Sequence, residues 1–279
     1  MKIKIIGGLL IVLGLFSCKQ SDPSFNQRID DVITFSGRKW DIKTGFNGPG
    51  PNNFTNHPND VYVDDNGHLH LSVTQRTVDG APPSLAWLCT EVVSQDTFGY
   101  GTYVWTIQGD PVNIDREIVL GLFTWSDSSF QKEANSEVDI EFAKWGDPEE
   151  EFTLQYGVQP IAFGPYNEER VHKPEANNQN WIGVSTHAFT WTDTLITWES
   201  WPGSQYGVGN PAASWTFDDT NPPKRKFEGQ NISDPVVIPA PDSYTNARMN
   251  LWLNSGLAGP FFPFRSEIII EKFEFIPLP

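Results

Sequence analysis

Three acidic residues alternate with three apolar ones in the segment Glu137-Val138-Asp139-Ile140-Glu141-Phe142. Alternate residues of an extended strand share one face, so the carboxylates would project together while the apolar side chains pack beneath them. Asp and Glu are poor strand formers, and like charges on one face repel each other. A sequence that tolerates this arrangement indicates a functional site.

The chemistry that suits such a strand is glycoside hydrolysis with retention, which uses two carboxyl groups about 5–5.5 Å apart as nucleophile and acid/base. The Cα atoms of Glu137 and Glu141 would be about 13 Å apart on a flat strand. Long side chains on a concave sheet can bring their tips into the required range. Asp139 would hydrogen-bond or share a proton with the nucleophile, and neighbouring negative charge would keep Glu141 protonated.

Two other interpretations of the acidic strand are less favourable. An edge strand carries charge to block aggregation, but lysine is the usual residue there and the apolar flanks favour a central strand. Three carboxylates could also hold Ca²⁺ or Mg²⁺, but successive residues of one straight strand are badly placed to wrap an ion. We therefore predict no metal ligands in this segment.

The two-residue period of β-strands recurs along the chain. It is seen in residues 68–74, 118–125, 153–159, 187–191, 195–201, 248–254 and 268–275. Turn residues such as Asp65-Asn66-Gly67 separate these segments, and none has a convincing helical stripe. The sequence therefore predicts an all-β protein, an antiparallel β-sandwich.

Composition narrows the class of ligand. The 279 residues carry a net charge of -16, which makes the chain a poor binder of phosphate backbones, so we expect no nucleic-acid partner. Aromatic residues reach 13%, with 11 Trp. This is more than a core requires, and exposed indole rings are suited to stacking on sugars.

The first residues have the features of an export signal. Lys2 and Lys4 precede an apolar run, Ile5–Phe16, that is too short to cross a bilayer. The run ends in Leu15-Phe16-Ser17-Cys18, which resembles the lipobox of bacterial lipoproteins. We therefore expect a signal peptide over residues 1–17, lipidation of Cys18, a polar tether over 18–29 and one catalytic domain over 30–279. Plain secretion, or a Cys18–Cys89 disulfide, are the alternatives.

The acidic segment resembles the Glu-x-Asp-x-Glu signature of glycoside hydrolase family 16, which includes laminarinases, lichenases, carrageenases, agarases and xyloglucan transglycosylases. Further segments resemble the family in the same order: Phe98–Tyr103, Gly121–Trp125, His187–Trp191 and Met249–Trp252. The likeness extends over roughly residues 30–277 and implies a jelly roll of the concanavalin A-like superfamily with a concave substrate cleft. It implies that Glu137 is the nucleophile, Asp139 its helper and Glu141 the acid/base.

Five further residues are candidates for contact with substrate. Trp125 and Trp145 would stack on sugar rings, although Trp125 could equally be a core residue. Gln155 and Gln159 share one strand face and would bind hydroxyl groups, unless that face is only solvated. His187 is a cleft residue by family likeness, although a lone His is more often structural. Val104 and Thr106 stand where many members carry Glu and Arg, so no particular glucan is predicted.

The prediction is a retaining, endo-acting hydrolase of a β-linked polysaccharide, of β-glucan or galactan type. A lectin-like module that binds glycan without cutting it, and a transglycosylase with the same site, are the alternatives. The chemistry requires no cofactor; a structural calcium ion is compatible with the resemblance but cannot be placed. We expect a monomer of the bacterial cell envelope that contacts the membrane through its lipid anchor alone.

Overall fold

A computed structural model describes residues 31–78, 84–127, 136–159, 170–221, 237–254, 256 and 265–279. The predicted signal peptide, Cys18 and the whole of the predicted tether fall outside these ranges. The strands are β1 Val32–Phe35, β2 Arg38–Ile42, β3 Gly45–Asn47, β4 Asn52–Phe54, β5 Val61–Val63, β6 Leu69–Val78, β7 Ser84–Thr97, β8 Gly101–Gly109, β9 Ile118–Trp125, β10 Val138–Ala143, β11 Leu154–Val158, β12 Val171–His172, β13 Gly183–Trp191, β14 Leu195–Pro202, β15 Ala213–Asp218, β16 Asn246–Leu253 and β17 Arg265–Pro277. A short 3-10 helix, Asn178–Trp181, precedes β13.

The strands form two layers. The front layer has the order β1-β2-β7-β16-β9-β10-β11-β12, and all of its pairs are antiparallel. The back layer has the order β5-β6-β17-β8-β13-β14-β15. Strand β7 belongs to both layers, because its first half pairs with β6 and its second half with β16 and β2. The predicted antiparallel β-sandwich is confirmed.

The core lies between the two layers and is rich in aromatic side chains. Trp40, Trp105, Trp191 and Trp198 are fully buried there. The indole N–H of Trp198, on β14 of the back layer, donates to the backbone carbonyl of Asp139 on β10 at 2.9 Å. One buried hydrogen bond thus joins the back layer to the acidic strand.

Strand β10 lies between β9 and β11, inside the front layer. Val138, Ile140 and Phe142 are fully buried on the core side, as the alternation predicts. The interpretation of this segment as a charged edge strand is therefore wrong. In the part of the chain that the structure describes, no helix is long and apolar enough to cross a membrane.

Candidate active site

The three acidic residues line one cleft on the outer face of the front layer. The cleft has a volume of about 710 Å³. Its lining includes Lys43, Glu91, Gly121, Phe123, Trp125, Asp127, Glu137, Asp139, Glu141, Trp145, Gln155, Gln159, Arg248, Asn250 and Trp252. Glu137 immediately precedes β10, and its carbonyl continues the ladder by accepting the backbone N–H of Gln159 at 3.1 Å. The three carboxylates therefore share a face because one ladder holds all three residues.

Glycines stand beside two of the acids in the ladder. Gly157 of β11 is the partner of Asp139, and Gly121 of β9 is the partner of Glu141. A residue opposite another in an antiparallel pair projects from the same face, so a larger side chain at either glycine would crowd the carboxylate. This local sequence keeps the cleft open above the acids.

Asp139 is the most enclosed of the three acids, with 3% of its surface exposed. Burial, followed by the negative charges of Glu137 and Glu141, raises its pKa well above the ordinary range. Gln159 Nε2 donates to its Oδ2 at 3.1 Å, and this bond opposes the rise. Asp139 therefore holds a proton more readily than an exposed aspartate does, and in its protonated form it can donate a hydrogen bond within the site.

Glu141 is partly exposed to the cleft, and burial of its carboxyl group raises its pKa to about 7. Gln155 Nε2 donates to Glu141 Oε2 at 2.6 Å and opposes this rise. From the sequence we expect neighbouring negative charge to raise the pKa of Glu141, whereas in the structure the cause is burial. A carboxyl group that titrates near neutrality can act as both general acid and general base.

The predicted sugar-contacting residues have different surroundings. Trp125 and Trp145 are half-buried and line the cleft. The indole N–H of Trp125 donates to Asp127 Oδ1 at 3.0 Å, and that of Trp145 donates to Gln155 Oε1 at 2.9 Å. The amides of Gln155 and Gln159 also line the cleft, and each donates to one of the acids. Contact of these four side chains with sugar remains a prediction.

His187 is not a cleft residue, and the prediction that placed it there is wrong. Its strand, β13, belongs to the back layer, and its side chain points into the core with none of its surface exposed. Its ring nitrogens lie 2.8 Å from the hydroxyls of Ser185 and Ser200. Burial lowers its pKa to about 3. The neutral ring packs edge-on beneath Phe142 and supports the acidic strand from below.

A buried polar network forms the cleft floor beside the acids, and sequence reasoning missed it. Glu91 of β7 is fully buried. It accepts hydrogen bonds from Lys43 at 3.0 Å, Arg248 at 3.4 Å and Asn250 at 3.2 Å. The one available signal was an acid inside the apolar run Leu88–Val93. Its partners come from distant segments, so spacing could not find them.

The carboxylates of the acidic strand were one candidate site for a metal ion. Across the described ranges, no three His, Cys, Asp or Glu side chains are grouped so that they could hold a metal ion. The acids of β10 follow one another along a single strand, and two of them accept side-chain amides. The arrangement fits proton transfer and nucleophilic attack.

The fold is similar to that of several solved structures. The chain is similar to a β-glucanase of Bacillus licheniformis, with 19% identity over 91% of this chain and 96% of that one, at a TM-score of 0.54. It is similar to the laminarinase catalytic domain of Thermotoga maritima, with 14% identity over 91% and 96% of the two chains, at a TM-score of 0.57. A pseudo β-1,3-glucanase of Mycobacterium tuberculosis is similar at 15% identity over 86% and 91%, with a TM-score of 0.57.

These similarities define the architecture of the chain. The protein has the jelly-roll fold of the laminarinases and lichenases of glycoside hydrolase family 16, as the sequence resemblance implied. No protein-family model and no curated protein matches the sequence. Because identity to these structures is below 20%, the activity must be argued from the site.

Proposed function

We propose that this protein is a retaining, endo-acting hydrolase of a β-linked polysaccharide. The observation that carries the proposal is the pairing of Glu137 with a Glu141 whose pKa is about 7, on one strand of an open cleft. The fold of known β-glucanases supports a β-glucan over a galactan as substrate. An open cleft, unlike a closed pocket, fits attack within a long chain.

In the first step the Glu137 carboxylate attacks the anomeric carbon, and a bond forms between its oxygen and that carbon. Glu141 gives its proton to the glycosidic oxygen, which leaves with the electron pair of the broken bond. In the second step Glu141 removes a proton from water, and the resulting hydroxide displaces Glu137. Two inversions leave the anomeric configuration unchanged.

Asp139 lies between the two reacting carboxyl groups in sequence. Burial and the two neighbouring glutamates raise its pKa, which disfavours a second negative charge beside Glu137. In its protonated form Asp139 can donate a hydrogen bond to Glu137 as that residue leaves as a carboxylate. Burial thus raises the pKa of both Asp139 and Glu141 above that of an exposed carboxyl group.

The test is a cleavage assay on the soluble domain. Wild type is incubated with a panel of β-glucans and algal galactans, and new reducing ends are counted beside Glu137→Gln and Glu141→Gln. We expect cleavage of at least one glucan and a loss of about 10³-fold or more in each variant. Full activity in both variants would refute the assignment.

A lectin-like module is the rival function, because one structural neighbour is described as a pseudo β-1,3-glucanase. Binding without cleavage in the same assay would favour that function. Products longer than the starting chains would indicate transglycosylation.

Azide distinguishes the roles of the two glutamates. With an aryl glycoside that needs no acid, azide attacks the anomeric carbon of the free substrate in Glu137→Ala and gives the inverted glycosyl azide. In Glu141→Ala it attacks the glycosyl-enzyme and gives the retained glycosyl azide. The reverse pattern would exchange the two roles.

We also propose that the protein is exported and held at the bacterial envelope by a lipid on Cys18. The support is the lipobox-like segment before Cys18. Secretion in free form is the alternative.

A further inference from the structure

Two side chains beside Glu141 form a chain of hydrogen bonds that ends on one of its two oxygens. Trp145 Nε1 donates to Gln155 Oε1 at 2.9 Å, and Gln155 Nε2 donates to Glu141 Oε2 at 2.6 Å. We propose that Trp145 and Gln155 are positioning residues that decide which oxygen of Glu141 carries the catalytic proton. This inference rests on the proposed role of Glu141 as acid/base.

The direction of the chain follows from the chemistry of its first member. An indole N–H can only donate, so it must face the oxygen of the Gln155 amide. That contact fixes the orientation of the amide and turns its NH₂ group toward Glu141. Trp145 thus removes the ambiguity that a free amide would have.

The orientation of the amide determines where the proton of Glu141 lies. Oε2 already accepts the N–H of Gln155. A proton carried by Oε2 on the side of Gln155 would meet the hydrogen of that N–H group. The proton of the neutral acid therefore lies on Oε1, which has no hydrogen-bond partner among the described residues. In the first step this proton passes from Oε1 to the glycosidic oxygen, and Gln155 stabilises the charge that remains on the carboxylate.

A flipped amide would have the opposite effect. Gln155 would then present its oxygen, and the Glu141 proton would lie on Oε2 and bond to the amide instead of the substrate. The neutral form would be stabilised, so the pKa would rise and the acid would be turned away from the bond to be broken.

The backbone at Trp145 is a second, independent sign that this indole is required. Trp145 and Gly146 both have positive φ, 52° and 84°, and the N–H of Asp147 donates to the carbonyl of Lys144 at 2.9 Å. This is a type I′ turn, whose first central position is normally Asn, Asp or Gly. A bulky side chain there is strained. The Trp145 ring is nevertheless held in place by Trp252, whose ring centroid lies 6.0 Å from that of Trp145.

Other charged groups also face the cleft, and a test of the hydrogen-bond chain must leave their charges unchanged. On its own strand Glu141 has Glu137 and Asp139 as neighbours. Around it lie Asp127 after β9, Arg248 on β16, Glu91 on β7 and Lys43 after β2, whereas β11 contributes only the neutral Gln155 and Gln159. Variants at Trp145 and Gln155 leave all of these charges in place.

The test measures the pKa of Glu141 directly, by NMR titration of the protein labelled with ¹³C at glutamate side-chain carboxyls. The signal of Glu141 is the one lost in Glu141→Gln. We expect Gln155→Met to raise this pKa by about one unit. Trp145→Phe keeps a ring but lacks the N–H, and should raise it in the same direction. Trp125→Phe also removes a cleft indole N–H, but one that donates to Asp127 and not to Gln155, so it should leave the pKa within about 0.2 unit of wild type.

Activity supplies the second readout. In Gln155→Met and Trp145→Phe the alkaline limb of kcat/KM should move to higher pH with the measured pKa, and the plateau should fall about tenfold. Trp125→Phe should change KM and leave the alkaline limb at the pH of wild type. Unchanged pKa values in either Trp145→Phe or Gln155→Met would overturn the proposal. Failure of wild type to cut any glycan would instead refute the proposed function, and the NMR titration would still decide whether the hydrogen-bond chain acts on Glu141.

Discussion

At the scale of single residues, burial and hydrogen bonding act on Glu141 in opposite directions. Burial raises the pKa of this carboxyl group, the bond from Gln155 lowers it, and the result is about 7. A group whose folded-state pKa is raised binds more protons in the folded than in the unfolded state. Its contribution to the free energy of unfolding is therefore lost as the pH rises from about 4.5 to about 7.

Glu141→Gln should consequently stabilise the fold more at pH 8 than at pH 4. At pH 4 the carboxyl is neutral in both states, whereas at pH 8 the folded wild type holds a poorly solvated charge that the variant lacks. We expect a relative gain of about 2 kcal/mol, reduced by the partial exposure of the group. Urea unfolding at the two pH values measures it.

Glu175→Gln, an exchange at an exposed position, is the control and should show no such dependence on pH. A gain for Glu141→Gln that is equal at pH 4 and pH 8 would contradict the assigned cause.

At the scale of strands, the site depends on the neighbours of β10. Gly121 of β9 lies opposite Glu141, and a Cβ added there would come within 2.5 Å of Asn250 Oδ1. The Asn250 side chain cannot easily move away, because its Nδ2 donates to the buried Glu91. The open space beside Glu141 is thus tied to the polar network beneath it.

Gly121→Ala should therefore disturb the cleft floor as well as fill space. We expect a loss of about 1–3 kcal/mol in the free energy of unfolding, together with a higher KM. Chemical denaturation and steady-state kinetics measure the two effects.

Gly99→Ala is the matched control, because a Cβ at Gly99 meets nothing within 4 Å. We expect both parameters to stay close to wild type there. Equal behaviour of the two alanine variants would show that the packing at Gly121 has no special role.

The strand scale also shows what the sequence could and could not predict. Alternation along β10 predicted which face holds the acids, because side-chain direction depends only on the two-residue period. Alternation does not say which layer a strand joins, so it could not correct the assignment of His187 to the cleft, which rested on the family resemblance. The Glu91 network was missed for a related reason, since its members meet only because β7 pairs with both β16 and β2.

At the scale of the whole molecule, β7 joins the front layer to the back layer, and Trp198 ties the acidic strand to the back layer. Substitutions in the back-layer core can therefore affect the cleft. The two-residue periods and the turn residues spread along the chain predicted the β-sandwich. The sequence does not predict the turn that places Trp145 in a left-handed conformation, because Trp is an unusual residue at a turn position with positive φ.

The proposed lipid anchor on Cys18 is tested in the full chain. Cys18→Ala should abolish incorporation of radiolabelled palmitate when the full chain is produced in a bacterial host, because the acylated thiol is lost. Cys89→Ala is the matched control, since the Cys89 thiol is buried inside the fold. Equal labelling of wild type and Cys18→Ala would remove the lipoprotein proposal.

The stereochemistry of the first product tests the central claim most directly. The soluble domain is mixed with a β-glucan that it cuts, and proton NMR follows the anomeric signals before mutarotation. Attack by Glu137 with protonation by Glu141 predicts that the new reducing ends appear first as the β-anomer. Initial release of the α-anomer would mean inversion, and would contradict a glycosyl-enzyme on Glu137.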